Sequence, residues 1–347
     1  MIFKTDIRGY LNAGVSLIDV RSPGEYEKGH IPGAISIPLF SDEERAHVGT
    51  LYTKVSAARA MEAGLEIAEP KRQWYLEQAH QAAPEREVVV HCWRGGLRSQ
   101  SFARHLGENG FSRVGVITGG YKAYRHHVLS YFAHPLNLRI IGGYTGSGKT
   151  GIIAALASLG EQAIDLEGVA CHKGSSFGAI GCGQQPTTEQ FENNLYEEFR
   201  KSDPARPVWL EDESHNIGGV NLPLSLWQQM QKSPVLFLRI PREVRADYLV
   251  SGYTGYGREL LEEAIIRISR RLGSENSTRA LELLSRGEYR EAAMIILSYY
   301  DKSYERALAL HTRETIADIP LSTIDALKNA AVLLEIKEPF HRPEEHP

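Results

Sequence analysis

The stretch LRIIGGYTGSGKTGIIAALASLG, residues 138–160, constrains the fold more than any other. A short apolar run, a glycine-rich loop of the form G-x4-G-K-T and an apolar stretch of helical character follow without a break. That order reads as a strand feeding a phosphate-binding loop that opens a helix, and it implies a parallel α/β sheet. Backbone amides from Tyr144 to Lys149 are expected to cradle phosphate oxygens, in a loop comprising Gly143, Tyr144, Thr145, Gly146, Ser147, Gly148, Lys149 and Thr150. Lys149 would reach the terminal phosphate and Thr150 would meet a Mg²⁺. The loop binds a phosphate chain, and by itself does not say whether a nucleotide owns that chain. Downstream, PVWLEDES (207–214) has the form of an apolar strand ending in acids, so Glu211 or Asp212 would hold a metal's water shell. Asp165, in QAIDLEG, is expected at the same carboxyl edge of the sheet.

The first third repeats the strand–helix alternation. VSLIDV (15–20), AISIPL (34–39), EVVVHC (87–92) and VGVIT (114–118) read as strands, and 58–68, 71–83 and 97–110 as helices. The chain thus divides into an α/β domain over 1–130, a phosphate-loop domain over 137–250 with further strands at 162–166, 207–212 and 234–240, and a helical region over 251–347 ending in a frayed tail. The strand at 87–92 delivers Cys92 to a loop holding Gly95 and Gly96, with a helix starting near Leu97–Ser99. Loop amides and a helix N-terminus favour an anion, and Arg94 and Arg98 would add positive charge. Such surroundings lower a thiol's pKa and make it a nucleophile. His91, one residue earlier on the strand, is turned to the opposite side and reads as structural. Cys171 and Cys182 lack this setting.

The motifs DVRSPGEYEKGHIPGAISIPL (19–39), HCWRGGLRS (91–99) and ITGGYKAYR (117–125), in that order, resemble a rhodanese domain. The resemblance implies a loop cysteine that carries a persulfide or its selenium analogue, with Asp19, Arg21, Glu25 and His30 organising turns and salt bridges. The spacing from Cys92 to Arg98 is also the C-x5-R of cysteine phosphatases; the GHIPGA motif and its context favour group transfer instead. Over most of its length the chain is similar to the bacterial tRNA 2-selenouridine synthases, carried by HVGTLYTKVSAARAMEAG (47–64), CWRGGLRS, GGYKAYR, GYTGSGKT and LSYYDKSYERAL. This second resemblance implies an α/β fold class: a rhodanese-like parallel α/β domain, a P-loop NTPase-like α/β domain and a helical C-terminal region. It also implies a transferase that replaces the sulfur of wobble 2-thiouridine in tRNA with selenium from selenophosphate, through an S-geranyl intermediate made from geranyl diphosphate. Cys92 would form the S-selanylcysteine intermediate inside a cradle of Arg94, Gly95, Gly96, Arg98 and Ser99. The phosphate loop is expected to hold the diphosphate of geranyl diphosphate, with an apolar pocket beside it for the ten-carbon tail.

Composition bounds the alternatives. Three cysteines build no disulfide framework, which suits a reducing compartment, and no run is long and apolar enough to span a bilayer. The N-terminus lacks a signal-peptide core, so a cytoplasmic protein is expected. A net charge of −4 gives no global nucleic-acid signature, so a tRNA partner, met at its anticodon region, needs a local basic face. Arg267, Arg270 and Arg271 share one helical face, which Arg258, Lys302 and Arg306 would extend, with Tyr299, Tyr300 and Tyr304 near. No tightly bound cofactor and no resident metal site are expected. Other classes stay open at this point: an ATP-dependent tRNA sulfurtransferase, a C-x5-R phosphatase fused to a kinase-like module, and a non-enzymatic tRNA-binding protein.

Overall fold

A computed structural model describes residues 1–174, 177–310 and 316–336. The tail expected to fray, 337–347, lies outside them. Two compact units emerge: Met1–Tyr131 with Glu192–Glu197, and Phe132–Phe191 with the described residues from Glu198 onward. None of the described helices is long and apolar enough to cross a membrane.

The first unit is built on five strands: β1 (Ile2–Thr5), β2 (Ser16–Asp19), β3 (Ile35–Ser36), β4 (Glu87–His91) and β5 (Arg113–Ile117). They lie in the order β1-β5-β4-β2-β3, all parallel. The central strand is Val88–Val90, β-branched and buried on both faces, as a covered parallel sheet requires. One face carries Ile18, Val20, Val88, Val90, Val114 and Val116 against Tyr75, Phe102 and Leu106 of the helices Arg72–Ala82 and Leu97–Glu108. Alternation along β4 puts Cys92 on that face and His91 on the other, beside Tyr121 of the helix Gly120–Tyr131. The strand read over 34–39 pairs regularly only at Ile35–Ser36. Pro38 has no amide to donate, although Ile37 and Leu39 still bond to Asp19 and Val20. The helix Asp42–Lys54 was not read from the sequence because it has no fully buried residue and hence no apolar period. Its signal was the capping box, Ser41 bonded reciprocally with Glu44.

The second unit holds β6 (Leu138–Gly143), β7 (Gln162–Ala163), β8 (Val208–Glu211), a small antiparallel pair β9 (Asn216–Ile217) and β10 (Val220–Asn221), then β11 (Val235–Arg239) and β12 (Ile316–Pro320). The main sheet runs β12-β11-β6-β8-β7, all parallel. β6 is central, and the chain leaves it where the strand order reverses, the place where open α/β sheets bind ligands. The C-terminal region is helical from Arg258 to Leu310, in three packed helices, Arg258–Leu272, Ser274–Ser285 and Tyr289–Leu310. Beyond them the chain returns to the sheet: β12 adds its edge strand, and the helix Ala326–Glu335 packs on the helix Lys149–Ser158. The 251–347 stretch is therefore not helical throughout, a difference that five residues ending in a proline did not signal.

Candidate functional site

Each unit presents one candidate site after the central strand of its sheet. In the first, Cys92 directly follows β4 and the loop from Trp93 to Gly96 leads into the helix Leu97–Glu108. The first turn of the helix Gly120–Tyr131 holds this loop by backbone bonds from Tyr121 N to Cys92 O (2.9 Å) and Lys122 N to Trp93 O (3.0 Å). Two glycines make the approach possible. A Cβ on Gly95 (φ +65°) would stand 2.2 Å from Ile117 O, and one on Gly120 (φ +57°) 2.2 Å from Cys92 O. The ITGG motif is thus the backrest of the cysteine loop. Gly96 is the N-cap and offers no side chain to the first amides of its helix, leaving them for an anion.

Cys92 is 3% exposed, its Sγ 3.3 Å from Ser99 Oγ, which donates in turn to Gly96 O. Arg98 is the cation coupled to this thiol: burial works against its charge, but the bond and charge of Glu25, then Cys92 and Asp19, hold its pKa above the ordinary value. Its Nη1 donates to Glu25 Oε2 at 2.8 Å, so the positive charge expected at the sulfur is shared with a carboxylate. Arg94 is exposed on the loop, not packed at the sulfur. Of the resemblance's organising residues, Glu25 also closes a capping box with Ser22, and His30 stacks on Tyr26.

Asp19 and Arg21 form a fully buried ion pair. Arg21 also donates to Gly29 O and lies 3.8 Å over the Tyr121 ring. Burial would raise Asp19, but His91 when protonated and Arg21 hold its carboxyl below the ordinary range. Burial lowers His91, so near neutrality the facing charge is that of Arg21. Removing the guanidinium leaves a buried lone carboxylate. Arg21→Met is expected to cost about 3–5 kcal/mol, read as a lower urea midpoint, with part recovered by adding Asp19→Asn. Because the folded pKa of Asp19 is depressed, this contribution is full above about pH 4 and fades as pH falls through the folded value.

In the second unit the loop Gly143–Thr150 joins β6 to the helix Lys149–Ser158, as expected. Lys149 Nζ donates to Gly143 O (3.1 Å), Ser147 Oγ to Tyr144 O (2.7 Å) and Thr150 Oγ1 to Glu167 Oε2 (2.8 Å). Tyr144 is buried, and its hydroxyl accepts from Arg239. Burial pulls the Lys149 pKa down, yet the surrounding groups, Tyr304, Glu213 and Glu167 first, hold it above the ordinary value.

This loop forms one wall of a cavity of about 560 Å³. At the loop end stand Asp165, Glu167, Glu213 and Lys173; away from it the walls are Leu261, Ile265, Leu284, Ala292, Ile296 and Leu297 of the three C-terminal helices. Of the expected acids, Asp165 lines the cavity while its Oδ1 caps the helix Leu166–Ala170. Glu211 is buried behind the wall with Oε2 accepting from Leu166 N (3.0 Å). Burial and then the charges of Asp165, Glu167 and Glu213 push its carboxyl well above the ordinary range. Asp212 is not among the lining residues. Besides Asp165, the acids that face the loop are Glu213 and Glu167, which sequence reasoning missed. Burial, against the opposing charge of Lys149 and with Glu167 and Asp212 adding to the rise, pushes Glu213 up to about 7. Alternation from Glu211 past the strand end was the available signal for Glu213. Among the described residues no group of three or more His, Cys, Asp or Glu is arranged to hold a metal. Thr150, Glu167 and Glu213 offer the one or two protein oxygens that Mg²⁺ takes when phosphates complete its shell.

Arg267, Arg270 and Arg271 all lie exposed on the helix Arg258–Leu272, but only Arg271 lines a cleft. Cys171 and Cys182 are half-buried and line neither cavity.

A buried-strand cysteine loop backed by glycines, and a phosphate loop opening on an apolar chamber, define a rhodanese-like domain joined to a P-loop domain. Residues 5–127 match the rhodanese-like domain, and residues 136–327 match the tRNA 2-selenouridine synthase AAA domain. The tRNA 2-selenouridine synthase of Cupriavidus pinatubonensis is 35% identical over 337 residues, covering 86% of this chain and 90% of its own. Those of Pseudomonas fluorescens (strain Pf0-1) and Marinobacter nauticus are 36% and 32% identical, covering 81% and 89% of this chain and 81% and 93% of theirs. The chain belongs to the tRNA 2-selenouridine synthase family.

Proposed function

We propose that this protein makes 2-selenouridine in tRNA in two steps, one in each unit. In the first, the thiocarbonyl sulfur of wobble 2-thiouridine attacks C1 of geranyl diphosphate. The C1–O bond breaks, diphosphate leaves, a C–S bond forms and the base gives up its N3 proton. In the second, the P–Se bond of selenophosphate breaks, the selenium enters at C2 as hydroselenide, the geranylated sulfur leaves as geranylthiol, and water takes up the phosphoryl group to give inorganic phosphate.

The observation that carries the first step is the single cavity running from the phosphate loop into the apolar interior of the C-terminal helices. A nucleotide offers polar edges where this chamber offers Leu261, Ile265 and Leu297; a prenyl diphosphate matches both ends. Lys149 and the loop amides would neutralise the departing diphosphate, the electrostatic role that dominates such displacements. Glu213, poised near neutrality at the loop end, is the group suited to take the N3 proton. Mg²⁺, when bound, would be held by Thr150 with Glu167 and would supply further neutralisation of diphosphate charge.

The cysteine loop supports the second step. Selenophosphate is an anion, and the uncapped amides after Gly96 together with Arg98 suit its phosphate. Beside it the buried Cys92 is the nucleophile: its thiolate attacks the phosphorus of selenophosphate, the P–Se bond breaks and hydroselenide leaves to displace geranylthiol from the base, and water then frees inorganic phosphate from the sulfur.

The test fills the chamber and leaves the loop intact. Ala293, half-buried on its wall, is replaced by Phe. Calorimetry should show geranyl diphosphate binding weakened about tenfold or more while inorganic pyrophosphate binds as before. Equal losses for both ligands, or none for either, would count against the assignment.

A further inference from the structure

A second cavity, of about 650 Å³, opens among the helices Arg258–Leu272, Ser274–Ser285 and Tyr289–Leu310. Its lining includes Arg271, Lys302 and Arg306 and no aspartate or glutamate. Lys302 and Arg306 follow Ser298 at steps of four on one helix and so share a face. All three cations are exposed, and among the described residues no ion pair joins any of them to a carboxylate. Neighbouring cations of the same layer are spent internally: Arg258 on Glu262, Arg242 and Arg245 on Asp301, Arg290 on Asp247. In a chain of net charge −4, three uncommitted positive charges around one concavity focus field toward an anionic ligand.

We infer that this cleft seats the phosphodiester backbone of a single-stranded segment of RNA. The three cations supply phosphate contacts and Asn276 and Ser303 hydrogen-bonding groups. Tyr299, also on the wall, offers a ring on which a base can stack. A concavity of this volume takes one or two nucleotides, not a duplex. Of the basic face read from the sequence, Arg271, Lys302 and Arg306 line the cleft, with Tyr299, whereas Arg267 and Arg270 do not. The inference rests on the reading that tRNA is the substrate, and names where on the second unit it is held.

The test compares the intact protein with the Arg271→Gln/Lys302→Gln/Arg306→Gln variant. tRNA binding is followed by fluorescence anisotropy over a series of salt concentrations, and geranyl diphosphate binding by calorimetry. The variant should bind tRNA at least tenfold more weakly. Its plot of log affinity against log salt should flatten by about 2, near 0.7 for each lost contact to single-stranded phosphate. Geranyl diphosphate should bind both proteins alike, which shows that the variant is folded. Single substitutions at Lys302 and Arg306 should each flatten the slope by about a third of the total. A variant that binds tRNA with the parental affinity and slope overturns the cleft assignment while the functional reading stands. An unaltered protein that binds no tRNA overturns both.

Discussion

Lys149→Ala is expected to abolish geranylation of 2-thiouridine tRNA, with the rate falling by about 10²–10³ or more, and to leave selenation of tRNA geranylated beforehand intact. Lys149 is the cation at the phosphate end of the cavity, held charged above its ordinary pKa, against burial, by Tyr304 and then by Glu213 and Glu167. Charge develops on the departing diphosphate oxygen as the C1–O bond stretches. Loss of one preorganised donor at such a position costs about 10²–10³ in rate. The same variant should bind geranyl diphosphate poorly, because the ground state already carries the diphosphate charge. Removal of the lysine also takes away the charge that holds the Glu167 and Glu213 pKa values down, so both carboxyls move further toward the neutral form. The assay follows tRNA nucleosides by mass spectrometry after incubation with geranyl diphosphate, and again, with pregeranylated tRNA, after incubation with selenophosphate. Parental geranylation in the variant would remove the phosphate loop from the reaction.

Cys92→Ala should give the reverse pattern: S-geranyl-2-thiouridine accumulates and 2-selenouridine falls below detection. The substitution removes the sulfur and little volume from a site where Cys92 packs with Val90 and Phe102, so the fold should hold. It leaves Arg98 paired with Glu25 and the backbone of the loop held by Tyr121 and Lys122. Anion binding at the loop therefore survives, and only the nucleophile is lost. Loss of both steps in a variant with parental unfolding midpoint would show that the two sites are not separable. Retained selenation would mean that selenium passes directly from selenophosphate to the nucleoside, with Cys92 in a structural role.

The phosphate loop could be read from the sequence because it is local: eight consecutive residues set the backbone path and the ligand chemistry together. The cysteine loop was legible for the same reason, and so was the turn of His91 away from the thiol. What decides the charge at each site comes from elsewhere in the chain. Arg98 is shared with Glu25, which lies 73 positions earlier. The acids at the phosphate loop are Glu167 and Glu213, brought there by the sheet, whereas Glu211, the apparent strand-end acid, faces the Leu166 amide behind the wall. The apolar chamber was expected from the chemistry of a ten-carbon tail, but the residues that form it could not be named. They come from three helices whose buried faces look, in sequence, like any amphipathic core. The edge strand β12 and the helix Asp42–Lys54 escaped because neither carries a long apolar period.

The central claim is that the phosphate loop serves a prenyl diphosphate. Calorimetric titration of the intact protein with geranyl diphosphate, inorganic pyrophosphate and ATP tests it most directly. Burial of about four methylene equivalents at about 0.8 kcal/mol each should make geranyl diphosphate bind about a hundredfold more tightly than pyrophosphate, with ATP a poor competitor. Equal affinity for pyrophosphate and geranyl diphosphate, or tight ATP binding that displaces geranyl diphosphate, would contradict it.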